Sequence, residues 1–406
     1  MDTRVQAGRL DRALERAGIS QRPVAVLDLD AFDANAADLA RRAQGTPIRV
    51  ASKSLRVRRL IDHVLTRPGF RGVLAYTLPE ALWLVEHGAT DVVVAYPTAD
   101  RSALSRLATD EQAREAITVM VDETAQLDLI LDAARARSGA PVLSPRRRIR
   151  VAIELDAAYS PLPGVRMGAL RSPLRRPHQV LDLAREVQDR PGLSLVGLMA
   201  YEGQIAGVTD AARTPYGAAV RVMKALSARE IAERRAATVA AVRQIADLAF
   251  VNGGGTGSIE TTRTEDAVTE IAAGSGLIGP GLFDGYHGFC PRPALLLGLS
   301  VVRRPARGVA TLLGGGWVAS GVPGADRLPT IHHPPGLRFA PQEAAGEVQT
   351  PVIGEPAERL RVGDTVWLRH AKAGEPAEHA LDYQLLSGGE VVAAAPTYRG
   401  EGRLFL

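Results

Sequence analysis

Cysteine and aromatic residues are scarce in this chain of 406 amino acids. The only cysteine, Cys290, excludes a disulfide framework and a zinc site built from cysteines. Aromatic residues make up 4% of the sequence, and the basic residues are scattered among 45 acidic ones without interleaved aromatics. This pattern is not that of a nucleic-acid-binding surface, so we expect no nucleic-acid partner.

Long apolar runs are also lacking. The longest, Ala294–Val302, is far shorter than the roughly 18 residues that a membrane helix needs. The first twenty residues carry too many charges for a secretory signal. We therefore expect a cytoplasmic protein that does not interact with membranes.

Lysine is the rarest of the charged residues. The 49 basic residues are 46 arginines and three lysines, Lys53, Lys224 and Lys372. We attribute the arginine excess, and the net charge of +4 that comes with it, to a bias of composition. The scarcity of lysine makes the position of each one informative.

Short apolar runs alternate with amphipathic helical patterns over residues 1–288. Runs rich in Val, Ile and Leu with few polar breaks are typical of parallel strands buried on both faces. After an opening strand at Val24–Asp30, these runs are Ile48–Ser52, Gly72–Thr77, Asp91–Tyr96, Thr118–Asp122, Ile149–Asp156, Leu195–Tyr201, Phe250–Gly253 and Glu270–Gly274. Eight strand-then-helix units predict an α/β fold with a TIM-type (β/α)8 barrel.

The pattern changes over residues 289–406, where helical periodicity is weak and Gly and Pro punctuate short apolar runs. This indicates a C-terminal all-β domain after the barrel. The predicted strands are Ala294–Val302, Gly308–Leu313, Thr365–Arg369, His379–Leu386 and Glu390–Ala394.

Lys53 ends the second apolar run, at the edge where barrels of this type place their active sites. A partly desolvated lysine can form a Schiff base with a carbonyl compound. Glycine-rich stretches, 252–257 and 274–276, follow the seventh and eighth barrel strands, where backbone N–H groups commonly hold phosphate. A carbonyl and a phosphate on one ligand suit pyridoxal phosphate.

These parts, in this order, resemble the fold-type III pyridoxal-phosphate enzymes of the alanine racemase type, in their D-threonine aldolase and D-serine dehydratase branch. Arg49 and Lys53 are similar to the family's Arg-Pro-His-x-Lys signature, with Val50 and Ala51 in place of Pro-His. The resemblance implies that Lys53 forms the Schiff base. It also implies a homodimer.

Further cofactor-binding residues follow from the same resemblance. Arg166 looks like the arginine that approaches the cofactor's phenolic oxygen, and Tyr201 like a cofactor-contacting aromatic. The phosphate loops resemble the segment around Thr256 and the segment that follows Glu270. The implied binding residues are thus Lys53, Arg166, Tyr201, Gly254, Gly255, Thr256, Gly257, Gly274 and Ser275.

The chain departs from this branch at the metal site of the β-domain. The family has His-x-Cys or His-x-Asp shortly after a Val-Gly-Asp turn, and here Val362-Gly363-Asp364 precedes His370-Ala371-Lys372. A lysine ammonium repels a divalent cation, so we predict no metal site, with His370 a ligand only if a metal is present. We interpret Lys372 as a positive charge in the metal's place and His370 as a base, with both side chains on one face of a strand.

The resemblance implies a lyase that acts on a small β-hydroxy amino acid of D configuration. Retro-aldol cleavage to glycine and an aldehyde is favoured, with Lys53, His370 and Lys372 as catalytic residues. The alternatives are β-elimination, as in D-serine dehydratase, and racemisation or epimerisation with Lys53 on one face and Lys372 or His370 on the other. A non-catalytic pyridoxal-phosphate-binding protein is disfavoured, because such proteins are barrels alone.

Overall fold

The computed structural model describes residues 2–136, 143–144 and 147–406. Across these residues the strands, in chain order, are β1 (Val24–Asp28), β2 (Ile48–Ala51), β3 (Phe70–Ala75), β4 (Val92–Val94), β5 (Ile117–Val121), β6 (Ile149–Glu154), β7 (Leu193–Ala200), β8 (Phe250–Gly253), β9 (Glu270–Ala273), β10 (Leu295–Ala306), β11 (Val309–Leu313), β12 (Thr330–His333), β13 (Arg338–Phe339), β14 (Gln349–Ile353), β15 (Thr365–Arg369), β16 (Asp382–Ser387) and β17 (Glu390–Pro396).

The helices lie mostly between the first nine strands. In chain order they are α1 (Thr3–Arg16), α2 (Leu29–Ala43), α3 (Arg58–Leu65), α4 (Leu78–Glu86), α5 (Arg101–Thr109), α6 (Glu111–Ala116), α7 (Thr124–Ala136), α8 (Pro177–Gln188), α9 (Gly203–Ala206), α10 (Pro215–Val242), α11 (Ile259–Thr262), α12 (Ser275–Ile278) and α13 (Pro376–His379). Among the helices so described, none is long and apolar enough to cross a membrane.

Strands β2 to β9 close into a parallel barrel, which confirms the predicted TIM-type architecture. The predicted apolar runs lie at these strands, with small shifts at their ends. β5, with the sequence ITVMV, is buried at every position, as a strand covered on both faces must be. The barrel interior is filled by side chains that include Met120, Met199 and Phe250, so it is a packed core.

The C-terminal sheet has the order β13-β14-β11-β10-β1-β16-β17, and β15 pairs with both β10 and β12. This confirms the predicted β-domain. Strands β12, β13 and β14 were not predicted, and His379 was wrongly predicted to begin a strand. Its segment, Pro376–His379, is the short helix α13, because a proline at the first helical turn favours that start.

The opening strand β1 belongs to this C-terminal sheet. It runs antiparallel to β10 and parallel to β16. Helix α1 packs on the same sheet, with Leu10 and Leu14 buried in one cluster with Leu296 and Trp367. The first strand of the sequence is therefore built into the second sheet, because its partners are the strands that follow the barrel.

Contacts divide the chain into two compact units. The β unit comprises the chain up to Asp38, Ser54–Asp62 and Ser275–Leu404, and the barrel unit comprises Leu39–Lys53, His63–Gly274 and Phe405–Leu406. This division differs from the single predicted boundary at residue 288, since β1 pairs with strands of the β unit.

Candidate active site

Lys53 lies in a short 3-10 turn, Ser52–Ser54, directly after β2. The Ser52 hydroxyl donates to the Leu74 carbonyl at 3.1 Å, which anchors the start of the turn. The Lys53 ammonium donates to the Tyr96 hydroxyl at 3.2 Å. The primary amine thus lies at the carboxyl end of a barrel strand, beside a phenol.

Tyr96 follows β4, and its hydroxyl lies close to two positive charges. Burial raises the pKa of its hydroxyl, but the positive charges of Lys53 and Arg171 outweigh burial and leave that pKa below its usual value. The phenol is therefore a better acid than a free tyrosine, and its hydroxyl lies next to the amine of Lys53.

Arg171 lies against two tyrosine rings. Its guanidinium carbon is 5.1 Å from the centre of the Tyr96 ring and 4.8 Å from that of Tyr201. A guanidinium is attracted to the face of an aromatic ring, and the attraction is strongest where water is partly excluded. Sequence analysis missed Arg171, because no spacing distinguishes it from Arg166 and Arg175 in the same segment.

Glu154, the last residue of β6, pairs with Arg171 at 3.5 Å and has a side chain only 3% exposed. Burial raises the pKa of its carboxyl to about 7, because desolvation outweighs the favourable charge of Arg171 and Asp122 adds a like charge. Sequence analysis also missed this residue. The rule applied to Lys53, a polar residue at the end of an apolar strand, would have found it.

Arg166 pairs with an acidic side chain that follows β6. Its guanidinium pairs with Asp156 at 2.9 Å, and its side chain is 39% exposed. Asp156 also binds Arg175 at 3.1 Å. Arg171 is thus the arginine that stacks on both tyrosine rings, whereas Arg166 is held by an acidic residue beyond β6.

Tyr201 follows β7, and the glycine loop after β8 lies close to its ring. Burial raises the pKa of its hydroxyl, against the opposing charge of Arg171. A Cβ atom on Gly255 would lie 3.3 Å from the Tyr201 ring and 3.0 Å from the Ala206 Cβ. The backbone of the glycine loop therefore lies so close to Tyr201 that a side chain at position 255 would require its neighbours to shift.

The glycine loop, residues 254–258, follows β8. Gly254 has φ +75°, a left-handed conformation that favours glycine. Its N–H donates to the Glu202 carboxylate at 3.1 Å, and Arg42 donates to the Thr256 carbonyl at 2.7 Å. The predicted loop residues are therefore present as one tightly held turn, in which Thr256 is buried.

Gly274 follows β9, and Ser275 begins α12. Within β9, Glu270 accepts hydrogen bonds from Arg49 at 2.7 Å and from Asn252 at 2.8 Å. The contact-based division falls between Gly274 and Ser275, which places Ser275 in the β unit.

Arg49, on β2, belongs to the same buried network. Burial lowers its pKa, but Glu270 and Asp91 outweigh burial and hold it above its usual value. The guanidinium is thus permanently charged and paired with carboxylates.

The predicted amine and the glycine loop follow the two strands that pair with β9. β2 pairs with β9, and β9 pairs with β8. The turn that carries Lys53 and the loop after β8 therefore flank the end of β9. These residues fit a ligand that carries three groups. A carbonyl would react with the Lys53 amine, a flat ring would contact the tyrosines and Arg171, and a phosphate would bind the tight glycine turn.

His370 follows the end of β15 in the β unit and is buried. Burial lowers the pKa of its imidazole to about 4, and the charge of Arg369 lowers it further. Its Nδ1 hydrogen-bonds to the Lys372 carbonyl. A carbonyl only accepts, so Nδ1 carries the proton, and the neutral ring keeps the lone pair on Nε2.

Lys372 does not share a strand with His370, and the expectation that both lie on one face of a strand is wrong. β15 ends at Arg369, because the carbonyls of His370 and Ala371 accept from Gly281 and Leu282 rather than continuing the ladder. The Lys372 ammonium donates to the Ser320 carbonyl at 3.1 Å.

Gly321 separates Lys372 from a second cation. A Cβ on Gly321 would lie 3.5 Å from the Lys372 ammonium and 3.0 Å from Nε of Arg327. Arg327 in turn pairs with Asp326 at 2.5 Å, so a carboxylate compensates this second cation. Among the residues with described positions, no group of three or more His, Cys, Asp or Glu side chains is arranged to hold a metal ion.

The barrel, its lysine and its glycine loop define a class, the barrel enzymes that hold a phosphate-bearing cofactor at the carboxyl ends of their strands. The chain belongs to the family of the alanine racemase N-terminal domain, whose model matches residues 27–279. This confirms the resemblance seen in the sequence, and the cofactor that the family implies is pyridoxal phosphate.

Named relatives lie in the aldolase branch. The chain is 27% identical over 260 residues to a 3-hydroxy-D-aspartate aldolase of Paracoccus denitrificans, a match covering 63% of this chain and 59% of that one. It is 29% identical over 294 residues to a D-threonine aldolase of an Arthrobacter species, covering 70% and 69%. The chain thus matches less than two thirds of the first relative's length.

Solved structures share the fold over nearly the whole chain. D-threonine aldolase from Filomicrobium marinum has a TM-score of 0.76 and 24% identity, covering 94% of this chain and 95% of that one. D-threo-3-hydroxyaspartate dehydratase from Delftia sp. HT23 has a TM-score of 0.66 and 21% identity, covering 93% and 97%. These likenesses show that the fold, with its barrel and its β-sheet, is shared beyond the residues that the family model matches.

Proposed function

We propose that this protein is a pyridoxal-phosphate-dependent lyase that cleaves a small β-hydroxy amino acid of D configuration into glycine and an aldehyde. The observation that carries the proposal is the Lys53 amine, hydrogen-bonded to Tyr96 at the end of a barrel strand, in a chain of the alanine racemase family. The relatives named as aldolases of D-configured hydroxy amino acids support the reaction type.

The cofactor, when bound, supplies an electron sink for the pair left on Cα as the Cα–Cβ bond breaks. Lys53 would hold the cofactor's carbonyl carbon and Tyr96 would orient the amine. Arg171 and Tyr201 would bind the cofactor's ring. The glycine loop around Thr256 would hold the phosphate through its backbone amides.

Retro-aldol cleavage needs a base that removes the β-hydroxyl proton. We assign this role to His370, whose Nδ1 is held by the Lys372 carbonyl so that Nε2 keeps the lone pair that can accept a proton. Lys372 would supply the positive charge that stabilises the developing alkoxide or the substrate carboxylate. In this assignment Lys372 takes the place of the metal that the family resemblance implies, and the reaction proceeds without added metal.

The test is incubation of purified protein and pyridoxal phosphate with D-threonine, D-serine and D-3-hydroxyaspartate, with and without EDTA, followed by product identification. Glycine plus an aldehyde in both conditions supports the proposal. Ammonia plus a keto acid would replace it with β-elimination. Deuterium exchange at Cα without product would indicate a racemase, and an intact cofactor absorbance without turnover would indicate a non-catalytic binding protein.

We also propose a homodimer located in the cytoplasm. The resemblance to the alanine racemase type supports the dimer, and the single cysteine, which is exposed and unpaired with another cysteine, fits a reducing compartment. Light scattering of the purified chain tests the dimer, because a mass near 43.1 kDa, that of one chain, would contradict it.

A further inference from the structure

Glu202 is a buried carboxylate that directly follows Tyr201 and touches the glycine loop at several points. Its side chain is 1% exposed. One oxygen accepts from the Gly254 N–H at 3.1 Å, and the other accepts from the hydroxyls of Ser258, at 3.3 Å, and of Thr262. The carboxylate thus bonds to the start of the loop, to its end and to the helix that follows.

The charge of Glu202 is compensated by Arg235, from the long helix α10. Arg235 donates through Nη2 to Glu202 at 2.9 Å and to the Ala200 carbonyl at 3.1 Å. Through Nη1 it donates to Glu265 at 2.5 Å. Hydrogen bonds that a carboxylate accepts are stronger than those between neutral groups, and the pairing with Arg235 compensates the cost of burying its charge.

The middle of the loop is held by Arg42, which donates to the Thr256 carbonyl and pairs with Glu260. In a planar trans peptide the C=O and the following N–H point in opposite directions. With the Thr256 carbonyl directed at Arg42, the N–H of Gly257 is directed away from it. Glu202 at the ends of the loop and Arg42 in its middle therefore fix which way the loop amides face.

We propose that Glu202 is a positioning residue whose ionised carboxylate fixes the glycine loop in the conformation that binds the cofactor's phosphate. The inference rests on the proposed function, because it takes the phosphate of pyridoxal phosphate as the loop's ligand. Glu202 acts through the loop and through Arg235, and its effect is on the phosphate alone. It should leave the part of the cofactor held by Lys53 unaffected.

The chain offers a matched control for this role. Glu265 binds the same arginine as Glu202 and is also buried, with a side chain 8% exposed. Glu202→Gln and Glu265→Gln therefore remove the same charge from the same Arg235. They differ in that Glu202 is the partner of the Gly254 amide and the Ser258 hydroxyl.

The experiment compares the dissociation constants of pyridoxal phosphate and of pyridoxal, which lacks the phosphate, for wild type and both variants, together with the melting temperature of each apoprotein. We expect Glu202→Gln to weaken pyridoxal phosphate binding about tenfold, the effect of losing a charged hydrogen-bond acceptor. Pyridoxal binding should change less than about twofold, and Glu265→Gln should leave the ratio of the two constants at its wild-type value, even if it lowers the melting temperature.

Equal weakening of both ligands in Glu202→Gln, the same ratio change in Glu265→Gln, or no change in either variant would overturn the inference. If Glu202→Gln does not fold, Thr262→Val removes one donor to the same carboxylate and should weaken pyridoxal phosphate about threefold with pyridoxal unchanged. An unchanged ratio in that variant would overturn the inference as well. Failure of the cofactor assignment on which the inference rests gives a separate result, since wild type itself would then show no preference for the phosphorylated ligand, whereas failure of the lyase activity alone would leave the ratio of the two constants unchanged.

Discussion

The guanidinium of Arg171 lies over the ring of Tyr201, with 4.8 Å between the guanidinium carbon and the ring centre. The same cation lies 5.1 Å from the ring of Tyr96, whose hydroxyl binds the amine of Lys53. A chain of contacts thus leads from the lysine to the buried carboxylate of Glu154. We therefore expect substitution of Arg171 to affect the site more than substitution of Arg166.

Substitution of the two arginines separates their roles. Arg171→Met should weaken pyridoxal phosphate binding about tenfold, because both tyrosine rings lose their cation and Glu154 is left without its partner. Arg166→Met should change it less than about threefold, since Asp156 keeps Arg175. Titration of each apoprotein with the cofactor measures both effects. A larger loss in Arg166→Met would restore the role that the family resemblance implied for Arg166.

Lys53→Ala should abolish the visible absorbance band of the bound cofactor and lower the rate of cleavage by about 10³-fold or more, because Lys53 is the amine assigned to hold the cofactor's carbonyl carbon. Lys224→Ala is the matched control. Lys224 pairs with Asp210 at 2.8 Å, so its loss should lower the melting temperature while the absorbance band and the activity persist. Full activity of Lys53→Ala with the absorbance band retained would contradict the central assignment.

The role of Lys372 can be tested by restoring the acidic ligand that the family has at this position. Wild-type activity should survive exhaustive EDTA treatment, and Lys372→Met should lower it about tenfold with no recovery on addition of manganese. Lys372→Asp, which recreates His-x-Asp, should become sensitive to EDTA and be reactivated by manganese. Loss of wild-type activity in EDTA, with recovery in manganese or zinc, would show that the chain has kept a metal site despite its lysine.

The raised pKa of the Glu154 carboxyl predicts a specific dependence of the protein's stability on pH. Its pKa is raised in the folded state, from 4.5 to about 7. The fold therefore favours the protonated carboxyl, and the contribution of this group to stability is fully present below pH 4.5 and is lost as the pH rises through 7. Relative to wild type, Glu154→Gln should gain on the order of 3 kcal/mol between pH 4.5 and pH 8, the full value of such a shift.

Melting temperatures of the two proteins across that range measure the effect. Glu86→Gln, at a carboxyl whose side chain is 44% exposed, is the control and should show no comparable trend. A constant difference between Glu154→Gln and wild type would show that the carboxyl of Glu154 titrates near its ordinary pKa.

The barrel could be predicted from the sequence because its strands are local runs of buried apolar residues, and β5 is buried at every position. Lys53 and the glycine loop could be predicted for a related reason, since both directly follow such runs. Glu154 ends β6 in the same way and was available to the same argument.

Other parts of the site depend on pairs of residues far apart in the chain. Glu202 and Gly254 are 52 residues apart, and Arg42 and Thr256 are 214 apart. The choice among Arg166, Arg171 and Arg175 depends on which way an irregular segment turns after β6. The end of β15 at Arg369, which separates Lys372 from the strand, depends on bonds to Gly281 and Leu282.

The sequence by itself determined the barrel, the β-sheet that follows it, the lysine at the end of β2 and the glycine loop after β8, because these are recorded in the pattern of neighbouring residues. The tertiary structure alone decided that β1 joins the C-terminal sheet, that Arg171 stacks on Tyr96 and Tyr201, and that Glu202 fixes the loop. These features arise where distant segments satisfy each other's hydrogen bonds and charges, and the partner of a buried polar group is set by packing rather than by its position in the sequence.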